Sequence, residues 1–176
     1  MDPLSAQREA ISVLAAALGA RVEVGGIEPW RAGADEVPGL LVWRRGRSRA
    51  LALVHAGACV QPGGGAAAAA AWLAACGLPS RSMSGVALGV VLRYFGVLEP
   101  PWFPDALEVE AITAHYAGQE VEGPSLVFDA EGVGVLEVEA RVAGRHGGGY
   151  MPLERWRRSV RLGVDAIEVT TRRVRG

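Results

Sequence analysis

The chain has 176 residues, of which 50% are hydrophobic and 21% charged, and its formal net charge is −1. This balance supports a buried core and excludes an intrinsically disordered or low-complexity chain. No apolar run approaches the roughly 20 residues that cross a bilayer, and the N-terminal residues lack a secretory signal pattern, so we expect a cytoplasmic protein without a membrane partner. Cys59 and Cys76 are 17 positions apart, a spacing that predicts neither a zinc site nor a disulfide framework.

The first half of the chain begins and ends with helix formers around a β-rich segment. Strong helix formers predict a helix over Leu4–Leu18 that stops before Gly19. Three segments are predicted strands, Val22–Ile27, Leu40–Trp43 and Ala50–His55, and the last two are joined by a polar turn. A Gly-rich loop then leads to a helix over Ala66–Cys76 and a short strand over Ser80–Met83.

The second half shows a similar predicted order. Ser84–Phe95 is a predicted helix, and three strands follow at Leu107–Ile112, Leu126–Phe128 and Val133–Val142. Pro152 stands where the first turn of a helix tolerates proline, so we predict a helix over Pro152–Leu162. Ala166–Thr171 is the last predicted strand. Both halves therefore have the predicted order αβββαβ.

A comparison of the chain with itself indicates a tandem duplication. Glu23–Trp43 aligns with Glu108–Phe128 at an offset of 85, with seven of 21 positions identical. At an offset of 84, the glycines 63–65 match those at 147–149, and Trp72 matches Trp156. The expected fold is α/β with mixed α+β sheets. Two tandem αβββαβ units, residues 1–83 and 84–176, would form a pseudo-dimer.

The αβββαβ order resembles the core of the PD-(D/E)xK, or restriction-endonuclease-like, nuclease superfamily. In the first unit, Val37–His55 resembles the catalytic hairpin of that family, in which an acid follows the proline and an acid-x-Lys motif closes the next strand. This chain has Gly39 and Leu53-Val54-His55 at those places, and neither Gly nor Leu can ligate a metal. The second unit has Ser125 after its proline and then Glu137-Val138-Glu139, without the lysine.

Glu137 and Glu139 are the candidate catalytic residues. Strand alternation places them with Arg141 on one face, and Leu136, Val138, Ala140 and Val142 on the other. Two carboxylates and a guanidinium on one face could bind a metal and a phosphate. The alternative is a solvated strand face with an ion pair. We expect no cofactor, with Mg²⁺ required only if this second unit is active.

The charges are segregated along the chain, and all 18 basic residues are arginines. Residues 96–140 hold 10 acidic residues and no arginine, whereas residues 141–176 hold nine arginines and three acids. Two arginine groups are candidate nucleic-acid contacts: Arg44, Arg45, Arg47 and Arg49 in the first unit, and Arg155, Arg157, Arg158 and Arg161 in the second. A solvated hairpin tip explains the first group equally well.

Three functions are compatible with these patterns. The preferred hypothesis is a nuclease-like fold that has lost catalysis and acts as a nucleic-acid-binding or accessory subunit. The second is a metal-dependent nuclease that uses Glu137 and Glu139 of the second unit. The third is a protein-protein interaction module whose acidic stretch, Glu99–Glu139, docks a basic partner without any nucleic-acid role.

Overall fold

The computed structural model describes residues 3–18, 26–32, 35–143 and 152–175. Those residues form four helices and two four-stranded antiparallel sheets. The chain divides into two compact units, Met1–Gly64 and Gly65–Gly176. The predicted mixed α+β class and the two-unit layout are confirmed.

The first unit contains one described helix and one sheet. Its elements are α1 (Pro3–Leu18), β1 (Ile27–Ala32), β2 (Asp35–Arg45), β3 (Ser48–His55) and β4 (Ala58–Val60). The strands pair in chain order, β1-β2-β3-β4, and every pair is antiparallel. Helix α1 buries Ala10 and Leu14 in a cluster with Trp43 and Ala52 of the sheet, which accounts for the apolar spacing of the helix.

The backbone of β2 explains why Gly39 stands where the nuclease family would have an acid. Gly39 has φ +75°, and a Cβ atom there would overlap the carbonyl oxygen of Val54. Both observations require glycine. An aspartate at this position would be excluded by the backbone itself, so the glycine has a structural reason to be present.

The second unit places three helices before its sheet. The helices are α2 (Gly65–Ala75), α3 (Gly85–Tyr94) and α4 (Val109–Gly118). The strands are β5 (Ser125–Phe128), β6 (Gly134–Ala143), β7 (Leu153–Leu162) and β8 (Ile167–Arg173), and they pair in that order. Helix α3 contacts β5 and β6. The Ser84 side chain caps this helix by accepting a hydrogen bond of 3.1 Å from the backbone N–H of Ala87.

Close packing around α3 forms the core of the second unit. Leu88, Val91 and Leu92 are fully buried. Gly89 has no room for a side chain, because a Cβ atom would overlap the ring of Phe103. Tyr116 of α4 closes this region by donating a hydrogen bond of 2.7 Å to the carbonyl oxygen of Trp102. These contacts join α3, α4 and the segment between them into one packed region.

Most predicted elements are confirmed, although their ends differ, most of all in β2, which begins at Asp35. The helices predicted over Leu4–Leu18, Ala66–Cys76 and Ser84–Phe95 correspond to α1, α2 and α3. The strands predicted over Leu40–Trp43, Ala50–His55, Leu126–Phe128, Val133–Val142 and Ala166–Thr171 correspond to β2, β3, β5, β6 and β8. Most of the strand predicted over Val22–Ile27 lies outside the described residues.

Three predicted elements are wrong. Ser80–Met83 is a turn segment and not a strand, whereas Leu107–Ile112 leads into helix α4 and not into a strand. Pro152–Leu162, predicted to be helical, forms strand β7. The reason is tertiary, because β7 lies between β6 and β8 and pairs with both. Pairing on two sides overrides the weak local helix preference.

The element order within each unit also differs from αβββαβ. The described first unit is αββββ, and the second is αααββββ. Aligned positions of the duplication adopt different structures: Ile27–Ala32 is strand β1, but residues 112–117 lie in α4, and Trp72 is helical whereas Trp156 is in β7. Glycines 147–149 lie outside the described residues. The predicted boundary after residue 83 falls inside the second compact unit, and the pseudo-dimer stays a prediction.

Replacing Gly39 with alanine tests the local structure of β2. Gly39→Ala is expected to lower the free energy of unfolding by about 3 kcal/mol or more, because backbone strain and a steric overlap add together. Gly46→Ala is the matched control, since Gly46 also has a positive φ, +59°, but has open space around it; it should cost only about 1–2 kcal/mol. Urea unfolding measures both values, and equal losses would contradict the described backbone.

Candidate functional site

The predicted division of β6 into a charged and an apolar face is confirmed. Leu136, Val138 and Ala140 are fully buried. Glu137 and Glu139 alternate with them and therefore lie on the opposite face. On that face the strand register places Glu139 opposite Arg157 and Arg141 opposite Arg155. Carboxylates of β6 thus meet guanidinium groups of β7 directly across the sheet, an arrangement that stabilises strand pairing.

Glu139 is the centre of this charged face. Its side chain is only 2% exposed. One carboxylate oxygen accepts a hydrogen bond of 2.6 Å from Nε of Arg155, and the other accepts bonds of 3.0 and 2.6 Å from Nε and Nη2 of Arg157. The backbone N–H of Glu122 donates a further bond of 3.2 Å. We call these residues, together with Glu137, the Glu139 cluster.

The hydrogen bonds of the Glu139 cluster determine how its carboxylate titrates. Burial alone would raise the pKa of Glu139, but the bonds from Arg157, from the Glu122 N–H and from Arg155 outweigh it and lower the pKa below its usual value of 4.5. The bond to Glu139 likewise raises the pKa of Arg157. The cluster therefore holds a carboxylate that is ionised at neutral pH and saturated with donors.

Two further arginines extend the charged face at its ends. Arg141 donates from Nε to the carbonyl oxygen of Gln119 at 2.7 Å and pairs with Glu120 at 3.2 Å. Arg161 pairs with Asp129 at 3.0 Å and with Glu131 at 2.6 Å. These contacts fasten the loop after α4 and the β5–β6 turn to the sheet.

The arginines predicted to contact nucleic acid from the second unit therefore have partners within the protein. Arg155, Arg157 and Arg161 are ion-paired with carboxylates. Arg158 lies on the other face of β7, where its guanidinium stacks over the Trp102 ring at 4.2 Å and its Nε donates to Thr171 at 3.3 Å. A phosphate would have to compete with each of these contacts.

Glu137 and Glu139, the predicted catalytic pair, occupy different environments. Glu137 is 27% exposed and has one weak contact, 3.5 Å from Nη1 of Arg157. Glu139 has no oxygen without a donor. Among the described residues, no group of three or more His, Cys, Asp or Glu side chains could hold a metal ion. Metal binding here would require Glu139 to leave two guanidinium groups.

The first unit presents its arginines differently, on the β2–β3 hairpin. Arg45 pairs with Ser48, which leaves a two-residue turn of Gly46 and Arg47. Gly46 has φ +59°, and glycine at this first turn position is typical of a type II′ hairpin. All six residues from Arg44 to Arg49 are exposed. We call this segment the arginine hairpin.

The arginine hairpin brings like charges together. Arg44 lies directly opposite Arg49, an arrangement of like charges that costs stability in a sheet. Glu28 of β1 offsets part of this cost by pairing with Arg44 at 2.8 Å, with both side chains substantially exposed. Within the described ranges, Arg45 and Arg47 form no ion pair. A polyanion could therefore approach Arg45 and Arg47 without displacing a carboxylate of the described residues.

Comparison of the chain with protein-family models, curated proteins and solved structures found no match. The resemblance to the restriction-endonuclease-like superfamily therefore stays a prediction. None of the described helices is long and apolar enough to cross a membrane.

Several partners in the charged face were not predicted from the sequence. Glu122 and Gln119 reach the sheet across 17 and 22 residues of chain, and the stacking of Arg158 on Trp102 was also missed. One sequence signal was available for β7. Arg155, Arg157, Ser159 and Arg161 recur at every second position, which is the period of a strand with one polar face.

The two glutamates can be separated by their effect on stability. Glu139→Gln is expected to lower the free energy of unfolding by about 2–4 kcal/mol, because two part-buried guanidinium groups lose the charge they share. Glu137→Gln is the matched control and should cost less than about 1 kcal/mol, as for an exposed pair. Urea denaturation measures both, and a loss at Glu137 as large as that at Glu139 would refute this assignment.

The lowered pKa of Glu139 predicts an acid-dependent loss of stability. The unfolded chain takes up the proton near the usual value of 4.5, above the folded pKa. The stabilisation is therefore complete above pH 4.5 and is lost as the pH falls through the folded pKa. Urea midpoints between neutral pH and pH 3 should fall more steeply in the wild type than in Glu139→Gln. Parallel pH profiles would contradict the role of this group.

Proposed function

We propose that this chain binds nucleic-acid backbones through the arginine hairpin and acts as a non-catalytic binding or accessory protein. The observation that carries the proposal is the contrast between its arginine groups. The arginines of β7 are held by carboxylates or by an aromatic ring. Those of the hairpin are exposed, and Arg45 and Arg47 form no ion pair with the described residues.

Phosphate binding needs positive charge with enough reach, and it does not need a pocket. Four arginines within six residues provide this, because guanidinium groups bind phosphate in a planar, bidentate manner. Such contacts give affinity without reading sequence. A cytoplasmic location is part of the same proposal.

The geometry gives less support to the two alternatives. A metal-dependent nuclease in the second unit would need Glu139 to exchange two arginines for a cation. A protein module that docks a basic partner through Glu99–Glu139 would draw on acids that are already paired inside the unit, among them Glu120, Glu122 and Glu131. No Mg²⁺ is therefore required by the proposed function.

Removing the hairpin charges tests the proposal. A variant with Arg44, Arg45, Arg47 and Arg49 all changed to alanine should bind a short DNA duplex at least about tenfold more weakly at low salt. The slope of log K against log salt should fall in magnitude by about 0.9 for each arginine that contacts a phosphate. Fluorescence anisotropy over a salt series measures both quantities.

A second quadruple variant controls for net charge. Arg8, Arg81, Arg172 and Arg175 are exposed arginines outside the hairpin, so changing all four to alanine lowers the net charge equally. This control should keep most of the affinity. Negligible wild-type binding at low salt, or equal losses in the two variants, would refute a binding role for the hairpin.

A further inference from the structure

The arginines of the hairpin point in different directions. Arg44 and Arg49 are directly opposed in the register and share one face of the two-stranded ribbon. Arg45 follows Trp43 by two positions and lies on the other face. Arg47 is in the turn at the tip. Arginine side chains therefore lie on both faces and at the end of the ribbon.

A charge distribution of this kind suits a ligand that surrounds the tip. Proteins that bind a single strand usually carry a one-sided basic groove that follows one backbone. The arginine hairpin has no such single basic face. A groove between two phosphate backbones places negative charge on both sides of an inserted ribbon.

The first unit also lacks a surface on which unpaired bases could stack. Residues 1–64 contain two aromatic residues of the Phe, Trp and Tyr type, Trp30 and Trp43. Trp30 is 1% exposed and Trp43 is 2% exposed. Because single-strand binding draws much of its affinity from stacking on exposed aromatic rings, this unit is poorly suited to single strands.

The dimensions of the ribbon agree with one groove in particular. Trp43 is buried, and the six residues from Arg44 to Arg49 that follow are exposed. Gly26, just before β1, lies against the Arg44 carbonyl, so the ribbon is two-stranded from Arg45 to Ser48 and projects roughly 5–7 Å at strand spacing. The major groove of B-form DNA is about 12 Å wide and 8.5 Å deep and admits a two-stranded ribbon. The major groove of an RNA duplex is too narrow for side chains to enter.

Resting on the proposed function, we infer that the arginine hairpin inserts into the major groove of B-form duplex DNA. Arg44 and Arg49 contact the backbone on one side of the groove, and Arg45 contacts the backbone on the other. Arg47 enters the groove at the tip. Binding is independent of sequence where the contacts are to phosphate.

Matched probes test this inference on the full chain. The probes are a short DNA duplex, a single DNA strand of twice its length, so that the number of phosphates is equal, and an RNA duplex of the same sequence. At one low salt concentration, the DNA duplex should bind at least about tenfold more tightly than either of the others. The hairpin variant with four alanines should remove that preference.

A blocked groove locates the contact. A duplex in which cytosine carries a glucosylated hydroxymethyl group at C5 fills its major groove, and it should bind several-fold more weakly than the plain duplex. Netropsin, which occupies the minor groove, should leave the affinity unchanged. Equal affinity for the blocked and plain duplexes, or loss of binding with netropsin, would overturn the inference.

The results distinguish a failure of the groove inference from a failure of the proposed function. If a single strand binds through the hairpin as tightly as the duplex, the proposed function stands and the groove inference fails. If no probe binds in a manner that depends on the hairpin, the proposed function fails as well.

Discussion

The burial of the Glu139 carboxylate between Arg155 and Arg157 constrains the second unit more than any other polar contact described. An ionised carboxylate that is 2% exposed would cost several kcal/mol if it were unpaired. Two guanidinium groups from β7 and a backbone N–H from the loop after α4 meet this requirement together. The pairing of β6 with β7, the position of that loop and the ionisation of Glu139 therefore depend on one another.

The same constraint separates the two arginine groups in function. An arginine that completes a buried carboxylate cannot be withdrawn for a ligand without leaving that carboxylate unpaired. Arg155 and Arg157 are in this position. Arg45 and Arg47 of the exposed hairpin form no ion pair with the described residues, so a bound phosphate costs them little beyond the ordering of their side chains. The number of arginines alone therefore does not identify a binding surface. The burial of the carboxylates that pair with them helps to do so.

Local patterns in the sequence predicted the parts of the fold that depend on local chemistry. The β2–β3 hairpin follows from its polar turn with Gly46, and the face shared by Glu137 and Glu139 follows from strand alternation. The alternation of Arg155, Arg157 and Arg161 indicates strand β7 in the same way, whereas the helix predicted over Pro152–Leu162 rested on the position of Pro152. The contact between Glu122 and Glu139 joins residues 17 positions apart and leaves no local signal.

The aligned duplication illustrates why identity over a short segment does not determine structure. Ile27–Ala32 contains Pro29, which disfavours a helix interior, and it forms β1. The aligned segment, residues 112–117, has Ala114 in place of the proline and lies in α4, whose N-cap residue is Glu108. The first and last residues of the two segments are identical, isoleucine and alanine, but the segments still fold differently. Each unit nevertheless contains its own four-stranded antiparallel sheet, in which the strands pair in chain order.

The hairpin arginines are proposed to contact the ligand, while Arg155 and Arg157 of β7 stay bound to Glu139. Two-dimensional NMR of the arginine Nε–H groups during titration with a DNA duplex tests it most directly. We predict that the signals of Arg44, Arg45, Arg47 and Arg49 shift, and that those of Arg155 and Arg157 stay in place. Shifts at Arg155 and Arg157 with an unchanged hairpin would contradict the account.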